Sequence, residues 1–302
     1  MKYIDILLAT HNGADYLDSQ LLSIIGQTYK NWTLIIHDDG SNDDTLKIIK
    51  QYQEKDSRIT LVDDHIICGG AAKNFMHLLN FSTGDLVIFC DQDDIWLESK
   101  LAYLAREFNF DKPMAVFCNG YPYSEEKGII NSKITNVYPK NLKEQLFLNA
   151  GIQGCSLMFN KNLRDKLNII PNFVAMHDHF ITLGIVCFGE LKYIDRSLML
   201  YRQFHAGKAT GNIEYNLRKK IKSIFISDIP VVDRSHLSAS LSFYNAYRNS
   251  LTDSQIELFD AYFLYPEVQL FKRIYLIVKY GFSIYDSILV LILKTFVRKP
   301  VN

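Results

Sequence analysis

Leu86-Val87-Ile88-Phe89-Cys90-Asp91-Gln92-Asp93-Asp94 decides how this chain folds: an unbroken apolar run passes directly into a cluster of carboxylates. A short apolar run bounded by polar residues reads as a buried strand. The same arrangement recurs upstream. Residues 4–9 form an apolar run ending in Thr10-His11-Asn12-Gly13, and residues 33–36 form another, ending in Asp38-Asp39-Gly40. Weaker strand signals follow at 59–62 and 114–118. Between them lie helical patterns. Leu17, Leu21, Ile24 and Ile25 recur at helical spacing, Ser41 and Asp44 have the spacing of a capping box opening a helix through Tyr52, and residues 73–79 also read as helix.

Strands alternating with helices predict an α/β fold with a mostly parallel sheet flanked by helices. In such sheets ligands bind beyond the carboxyl ends of the strands. The polar clusters at 10–12, 38–39 and 91–94 all fall at those ends. From about 120 to 205 the pattern loosens, with a strand signal at 157–159, and beyond about 212 the chain reads as helical.

With 33 basic and 33 acidic residues the 302-residue chain has no net charge, which argues against a bulk nucleic-acid binder. Its 48% hydrophobic content suffices for a sizeable core. Cys68, Cys90, Cys118, Cys155 and Cys187 form no C-x-x-C pair, which predicts no cysteine zinc site; Cys90, Cys118 and Cys155, in apolar runs, read as buried thiols, and the pattern fits a reducing compartment. Met1-Lys2-Tyr3-Ile4-Asp5 lacks the layout of a signal peptide, so the catalytic portion is expected in the cytoplasm.

Three carboxylates within four residues, Asp91, Asp93 and Asp94, repel one another and call for a compensating charge. Mg²⁺ or Mn²⁺, which take carboxylate and phosphate oxygens, supply one and bridge a diphosphate. The bland alternative is a solvated acidic turn ahead of a helix starting near Trp96. Asp39 suits a pyrimidine N3–H, or simply a turn before a helix cap. Thr10 and Asn12 offer donors to a nucleotide, or an ordinary Asn-Gly turn. Lys73 and Asn74, after Gly69-Gly70, offer a cation and an amide to the same ligand, in a loop that is neither G-x-G-x-x-G nor a P-loop. Asp178, between His177 and His179, is either a general base or the N-cap of a helix over 180–186. Arg202 and His205 are placed to reach a diphosphate, or lie in a solvated loop.

Residues 268–302 contain six Lys or Arg (Lys272, Arg273, Lys279, Lys294, Arg298, Lys299), one acid (Asp286), and an apolar run at 288–293. That run is shorter than the roughly 20 residues a membrane span needs. The mixture predicts an amphipathic helix on an anionic membrane surface, against a helical hairpin packed on the core.

Ala9-Thr10-His11-Asn12-Gly13, Asp38-Asp39-Gly40-Ser41, Lys73-Asn74-Phe75 and Phe89-Cys90-Asp91-Gln92-Asp93-Asp94-Ile95-Trp96 together resemble the family-2 inverting glycosyltransferases of GT-A fold. Met176-His177-Asp178 and Tyr201-Arg202-Gln203 resemble the rhamnosyltransferase-type members that build cell-wall and capsular polysaccharides. The likeness covers residues 3 to 210. It implies a Rossmann-like GT-A catalytic domain over 1–210 and a C-terminal helical appendage over 211–302. By position it implies Asp39 on the pyrimidine, Asp91 near ribose and metal, Asp93 as metal ligand and Asp178 as catalytic base, with Gln92 in the donor site and His205 as a further metal ligand. The donor it implies is dTDP-rhamnose, or otherwise a UDP-hexose, and the acceptor a lipid-linked saccharide on the inner face of the membrane. The chain departs from that pattern at His179, where the family has an aromatic, and at Phe204, which separates Gln203 from His205. Two competing readings are a sugar-phosphate nucleotidyltransferase, which wants a glycine-rich basic loop that residues 10–13 lack, and a non-catalytic nucleotide-sugar-binding protein. Oligomeric state is left open.

Overall fold

A computed structural model describes residues 2–203 and 229–301. They form two compact units. The first holds residues 2–136, 152–166 and 189–203, and the second 137–151, 167–188 and 229–301. The expected boundary at 210/211, like the candidate ligand His205, lies outside the described residues. The helical unit also takes in two segments, 137–151 and 167–188, from within the region assigned to the catalytic domain.

The first unit is built on one mixed sheet. Its strands are β1 (Ile4–Thr10), β2 (Trp32–Asp38), β3 (Ile59–Leu61), β4 (Leu86–Cys90), β5 (Ile95–Trp96), β6 (Met114–Ser124), β7 (Gly128–Ile129), β8 (Leu157–Asn160) and β9 (Glu190–Arg202). They are ordered β3-β2-β1-β4-β8-β6-β9-β5, with β7 on β6. The run β3-β2-β1-β4 is parallel, so the carboxyl ends of β1, β2 and β4 emerge on one edge. β8 then runs antiparallel to β4 and β6. Helices α1 (Ala14–Ile25), α2 (Thr45–Gln53), α3 (Ala71–Leu79), α4 (Lys100–Ala105) and α6 (Lys161–Lys166) belong to this unit, and α5 (Leu142–Leu148) to the other. Ile4, Ile6 and Leu8 of β1 join Leu17, Leu21 and Ile24 of α1 in the main core, and Leu7 is buried on the opposite face. Burial of both faces suits this largely apolar strand, whose one carboxylate, Asp5, accepts hydrogen bonds from Ser82, Thr83 and Gly84.

Three local expectations are corrected. Ser41 and Asp44 form no capping box. Ser41 donates instead to Asp38, and Asp43 accepts from the Thr45 amide to hold the start of α2. Trp96 does not open a helix, because residues 95–96 pair with β9 and α4 begins only at Lys100. The loose region hides β9, the longest strand. Its burial alternates poorly and its register on β6 shifts around Asn119, so no period of two marks it in the sequence.

The second unit is helical: α5 (Leu142–Leu148), α7 (His177–Phe188), α8 (Arg234–Tyr247), α9 (Asp253–Leu264), α10 (Leu270–Tyr280) and α11 (Ile288–Val297). Its core is aromatic. Phe147 meets Tyr262, Tyr265 and Phe282 with ring centroids 5.3, 5.1 and 5.0 Å apart, and Phe243 packs on Tyr247 and Phe180. Such pairs add about 0.5–1.5 kcal/mol each beyond area burial. Side chains close the helix starts, with Asn141 capping α5, a reciprocal Thr252–Gln255 box on α9, and Ser287 capping α11.

His177 and His179 are buried in the first turn of α7, and the His179 ring meets His236 edge-on at 4.8 Å. Burial pushes both imidazoles down to about 3, with His236 adding to the effect at His179. They stay neutral when folded but protonate below about 6.5 when unfolded. Stability from this source is complete above that value and declines as the pH falls from about 6.5 towards 3. At pH 5 the loss is about 2 kcal/mol per histidine. Urea unfolding at pH 7 and pH 5 should show it, and His179→Phe should remove about half of the difference. An unchanged pH dependence in that variant would exclude His179 as a contributor.

Candidate active site

The parallel strands of the first unit deliver their polar ends to a common edge. β1 ends in Thr10, buried, whose hydroxyl donates to Asp38 at 2.8 Å, while the Thr10 carbonyl accepts the Asp39 amide at 2.8 Å. Asn12 follows in a left-handed conformation (φ 47°). Its amide N–H donates to the Ser41 hydroxyl and its side-chain oxygen accepts the Asn42 amide, both at 2.8 Å. Asn12 therefore ties the β1 and β2 ends together as well as offering an exposed amide.

Asp39 lies in a cradle of main-chain donors. The amides of Cys68 and Gly69 reach one carboxylate oxygen at 2.5 and 3.0 Å, and Gly70 reaches the other at 2.8 Å. Gly69 and Gly70 have φ of 72° and 142°, which only glycine adopts without strain. Burial pushes the Asp39 carboxyl up, but the amides of Gly70, Gly69 and Cys68 more than offset it, so the group stays ionised.

Lys73 and Asn74 share α3 but not a role. Lys73 is exposed and makes no ion pair among the described residues. Asn74 is buried, with its oxygen 2.7 Å from His37 Nδ1 and its nitrogen donating to the His37 carbonyl at 3.2 Å. The expectation that Asn74 faces a nucleotide gives way to this inward pairing.

At the end of β4, Gln92 forms a reciprocal pair with the His11 backbone, accepting its N–H and donating to its carbonyl at 2.9 Å each. The acidic loop is thereby fastened to the β1 end. Asp91 and Asp93 are half-buried, whereas Asp94 is buried. One Asp94 oxygen accepts the Arg202 amide at 3.1 Å, and the other has no hydrogen-bond partner among the described residues. Burial, reinforced by the charges of Asp93 and Asp91, raises the Asp94 carboxyl well above the usual range. Lys100 is the nearby buried cation. Its ammonium donates to the Cys155 carbonyl at 2.6 Å and sits 3.6 Å from the centre of the Trp96 ring. Nothing in the sequence marked it, since a lysine on a short helix reads as exposed.

Arg202 closes the loop from β9. Its Nε donates to the Asp93 carbonyl at 2.8 Å, and one terminal nitrogen meets Glu125 at 2.6 Å. Its guanidinium lies over Tyr16 and Tyr123. Arg202 thus holds the acidic turn through its backbone, a role the sequence did not suggest.

The donor set fits a hard cation. Ligand atoms of Asp91, Asp94 and Cys155 lie within 4.8 Å of one another. Burial keeps the Cys155 thiol protonated, and it hydrogen-bonds Asp91, so carboxylate oxygens are the ligands on offer.

The second unit carries Asp178, half-buried in the first turn of α7. Its carboxylate accepts the His179 amide at 2.6 Å, and its carbonyl accepts the Thr182 hydroxyl at 2.7 Å. Gly151 passes so close that a Cβ there would lie 2.4 Å from the Asp178 carbonyl carbon.

Comparison with known proteins matches residues 5–167 to a family model described as glycosyl transferase family 2. The chain belongs to glycosyltransferase family 2. It is 30% identical over 236 residues to the dTDP-rhamnosyl transferase RfbG of Shigella flexneri, covering 70% of this chain and 77% of that protein. It is 29% identical over 215 residues to the UDP-Glc:alpha-D-GlcNAc-diphosphoundecaprenol beta-1,3-glucosyltransferase WfaP of Escherichia coli, covering 70% and 81%. Among solved structures, S. aureus TarS 1-349 in complex with UDP-GlcNAc superposes with a TM-score of 0.60 over 92% of this chain and 80% of that one, at 14% identity. The mannosyltransferase PcManGT from Pyrobaculum calidifontis, in complex with GDP-Man and Mn²⁺, gives 0.53 over 98% and 86%, at 15% identity. These likenesses bear out the GT-A fold. As a family member the protein is a glycosyltransferase.

The Gln92–His11 pair depends on Gly13. A Cβ on Gly13 would lie 2.3 Å from Gln92 Oε1, so Gly13→Ala must expel the Gln92 side chain and break both bonds. Urea denaturation should show a loss of about 1–3 kcal/mol. In a Gln92→Ala background the same change should cost much less. Additive losses in that double-mutant cycle would refute the coupling.

Proposed function

We propose that this glycosyltransferase moves a sugar from a nucleotide-diphosphate donor to a lipid-linked saccharide, by single displacement with inversion, in bacterial polysaccharide synthesis. The observation that carries the reading is the meeting of Thr10, Asp39, Asp91 and Asp93 at the carboxyl ends of adjacent parallel strands. Asp39, kept ionised, accepts the base N–H. Thr10, Asn12 and exposed Lys73 serve the nucleotide. Asp91 and Asp93 would hold Mg²⁺ or Mn²⁺, with His205, outside the described residues, as a further ligand, and Asp94, which lies beside Asp91, would back them from below. When bound, that ion supplies positive charge to the diphosphate leaving group. Gln92 and Arg202 fix the turn that presents these acids. Asp178 takes the proton from the acceptor hydroxyl, leaving the oxygen free to attack the anomeric carbon.

The donor best supported is dTDP-rhamnose, on the RfbG relative and the Met176-His177-Asp178 and Tyr201-Arg202-Gln203 motifs, with a UDP-hexose as the second choice on the WfaP relative. His179, where the resembled members carry an aromatic, is a buried, uncharged ring and so keeps a flat side chain at that position.

Asp93→Ala should lower metal-dependent release of nucleoside diphosphate by about 10²–10³-fold or more. Asp178→Asn should retain donor binding by calorimetry yet stop turnover. A donor panel of dTDP-rhamnose, UDP-glucose, UDP-galactose and UDP-GlcNAc identifies the sugar. Transfer by Asp178→Asn at the parent rate would sink the assignment of the base.

The same reading extends to the inner membrane face. Among the described residues no helix is long and apolar enough to cross a membrane. Phe271, Tyr275 and Val278 on α10, and Leu289, Leu293 and Phe296 on α11, form two exposed apolar stripes at i, i+4, i+7 spacing, with Phe271 82% and Leu289 72% exposed. Lys272, Lys279 and Lys299 are exposed beside them. Apolar stripes with basic neighbours suit an anionic lipid interface. Phe271→Asp combined with Leu289→Asp should cut co-sedimentation with phosphatidylglycerol vesicles by about tenfold or more, and undiminished sedimentation would argue against it.

A further inference from the structure

His37, Asp64 and His77 form a second cluster in the first unit, separate from the strand-end acids. His37 is on β2, Asp64 follows β3, and His77 is in the last turn of α3. His37 Nε2 lies 3.3 Å from one Asp64 oxygen and His77 Nε2 lies 2.6 Å from the other. The imidazoles meet edge-on with centroids 4.8 Å apart, and the three ligand atoms all lie within 4.8 Å of one another.

The hydrogen bonds around His37 fix its tautomer. The Asn74 side-chain nitrogen faces the His37 carbonyl, which only accepts, so the other end of that amide is the oxygen. That oxygen is 2.7 Å from His37 Nδ1, which therefore carries the proton. A neutral His37 then turns the lone pair of Nε2 towards a carboxylate oxygen that already accepts the Ile66 amide at 3.1 Å. His37 is buried, so water does not relieve this opposition of acceptors. A positive charge belongs between these groups.

We propose that His37 Nε2, His77 Nε2 and the Asp64 carboxylate bind a borderline divalent cation of the Zn²⁺ class. Two imidazoles and one carboxylate make a zinc-type donor set, whereas Mg²⁺ prefers oxygen ligands and Mn²⁺ binds such nitrogen-rich sites more weakly than Zn²⁺. Asn74, holding the outer nitrogen of His37, is the orienting partner that metal-bound histidines ordinarily have. Asp64 and His77 are partly exposed, which leaves a face open for a water ligand. Binding displaces the proton from His77 Nε2 to solvent. The cation clips β2 and α3 to the loop whose Cys68, Gly69 and Gly70 amides cradle Asp39, and it acts there as a structural staple.

The test uses full-length Asp93→Ala protein, so that the strand-end acids do not compete, stripped with chelator and titrated with ZnCl₂ and CoCl₂. Calorimetry should give one equivalent of Zn²⁺ undisturbed by excess Mg²⁺, and Co²⁺ should develop the strong visible absorption of a tetrahedral site. Asp64→Asn and His77→Gln should each weaken binding by about 100-fold, the upper end of what losing even an orienting partner costs. If either variant fails to fold, X-ray absorption of the Zn²⁺-loaded Asp93→Ala protein decides. An imidazole shell of two nitrogens supports the site, and a shell of oxygen or sulfur alone overturns it. Absence of stoichiometric Zn²⁺ binding, or binding equal in the folded variants, also overturns it.

Discussion

Three carboxylates at the end of one buried strand are electrostatically unfavourable, and the first unit is arranged around that constraint. Two unit charges about 5 Å apart repel by about 3 kcal/mol at an effective dielectric of about 20. The protein meets this unevenly. Asp94 is buried and carried towards its neutral form, with Lys100 beneath the turn. Asp91 takes a hydrogen bond from the Cys155 thiol. The guanidinium of Arg202 brings a cation to the Asp93 backbone, and Gln92 pins the turn to β1 without any charge. Part of the negative charge is neutralised internally, and the remainder is available to a bound ion.

Asp39 shows the opposite solution. Its charge is preserved by three backbone dipoles instead of being cancelled by a cation, which keeps an anionic acceptor in a largely buried position. The loop that supplies those dipoles has little regular structure of its own. Ile67 packs over Gly40, and Asp64 meets the two histidines, so the loop is fastened at both ends to the β2 edge. The charge of Asp39 and the order of the loop are therefore one problem in this protein.

The parallel half of the sheet was legible because both of its faces are buried. Apolar runs at β1, β2 and β4 need no alternation to be recognised, and their polar terminators mark the ligand edge. The acids at 39, 91 and 93 followed from that pattern. What the sequence concealed depends on partners distant along the chain. Lys100 acquires its meaning from Cys155, 55 residues on, and Arg202 from Asp93, 109 residues before it. Asn74 reads as a polar loop-facing residue until the burial of α3 turns it to His37. β9 was missed because its bulged pairing with β6 spoils the alternation on which strand recognition rests. The start of α2 was misassigned because Asp43 and Asp44 are equivalent in sequence, and only the fold selects Asp43.

The helical unit is assembled from three separated stretches of chain, 137–151, 167–188 and the described part of the C-terminal third, 229–301. Phe147 from the first stretch sits among Tyr262, Tyr265 and Phe282 from the last. During synthesis Phe147 emerges more than a hundred residues before Tyr262, Tyr265 and Phe282, and Phe180 more than sixty before Phe243 and Tyr247, the aromatic rings that complete their packing. The described residues of the sheet unit end at 203, ahead of α8 to α11, so those apolar segments emerge before their later partners. Vectorial synthesis of this kind makes the helical unit dependent on its last helices: until they emerge, α5 and α7 have each other but not the rings that cover Phe147 and Phe180.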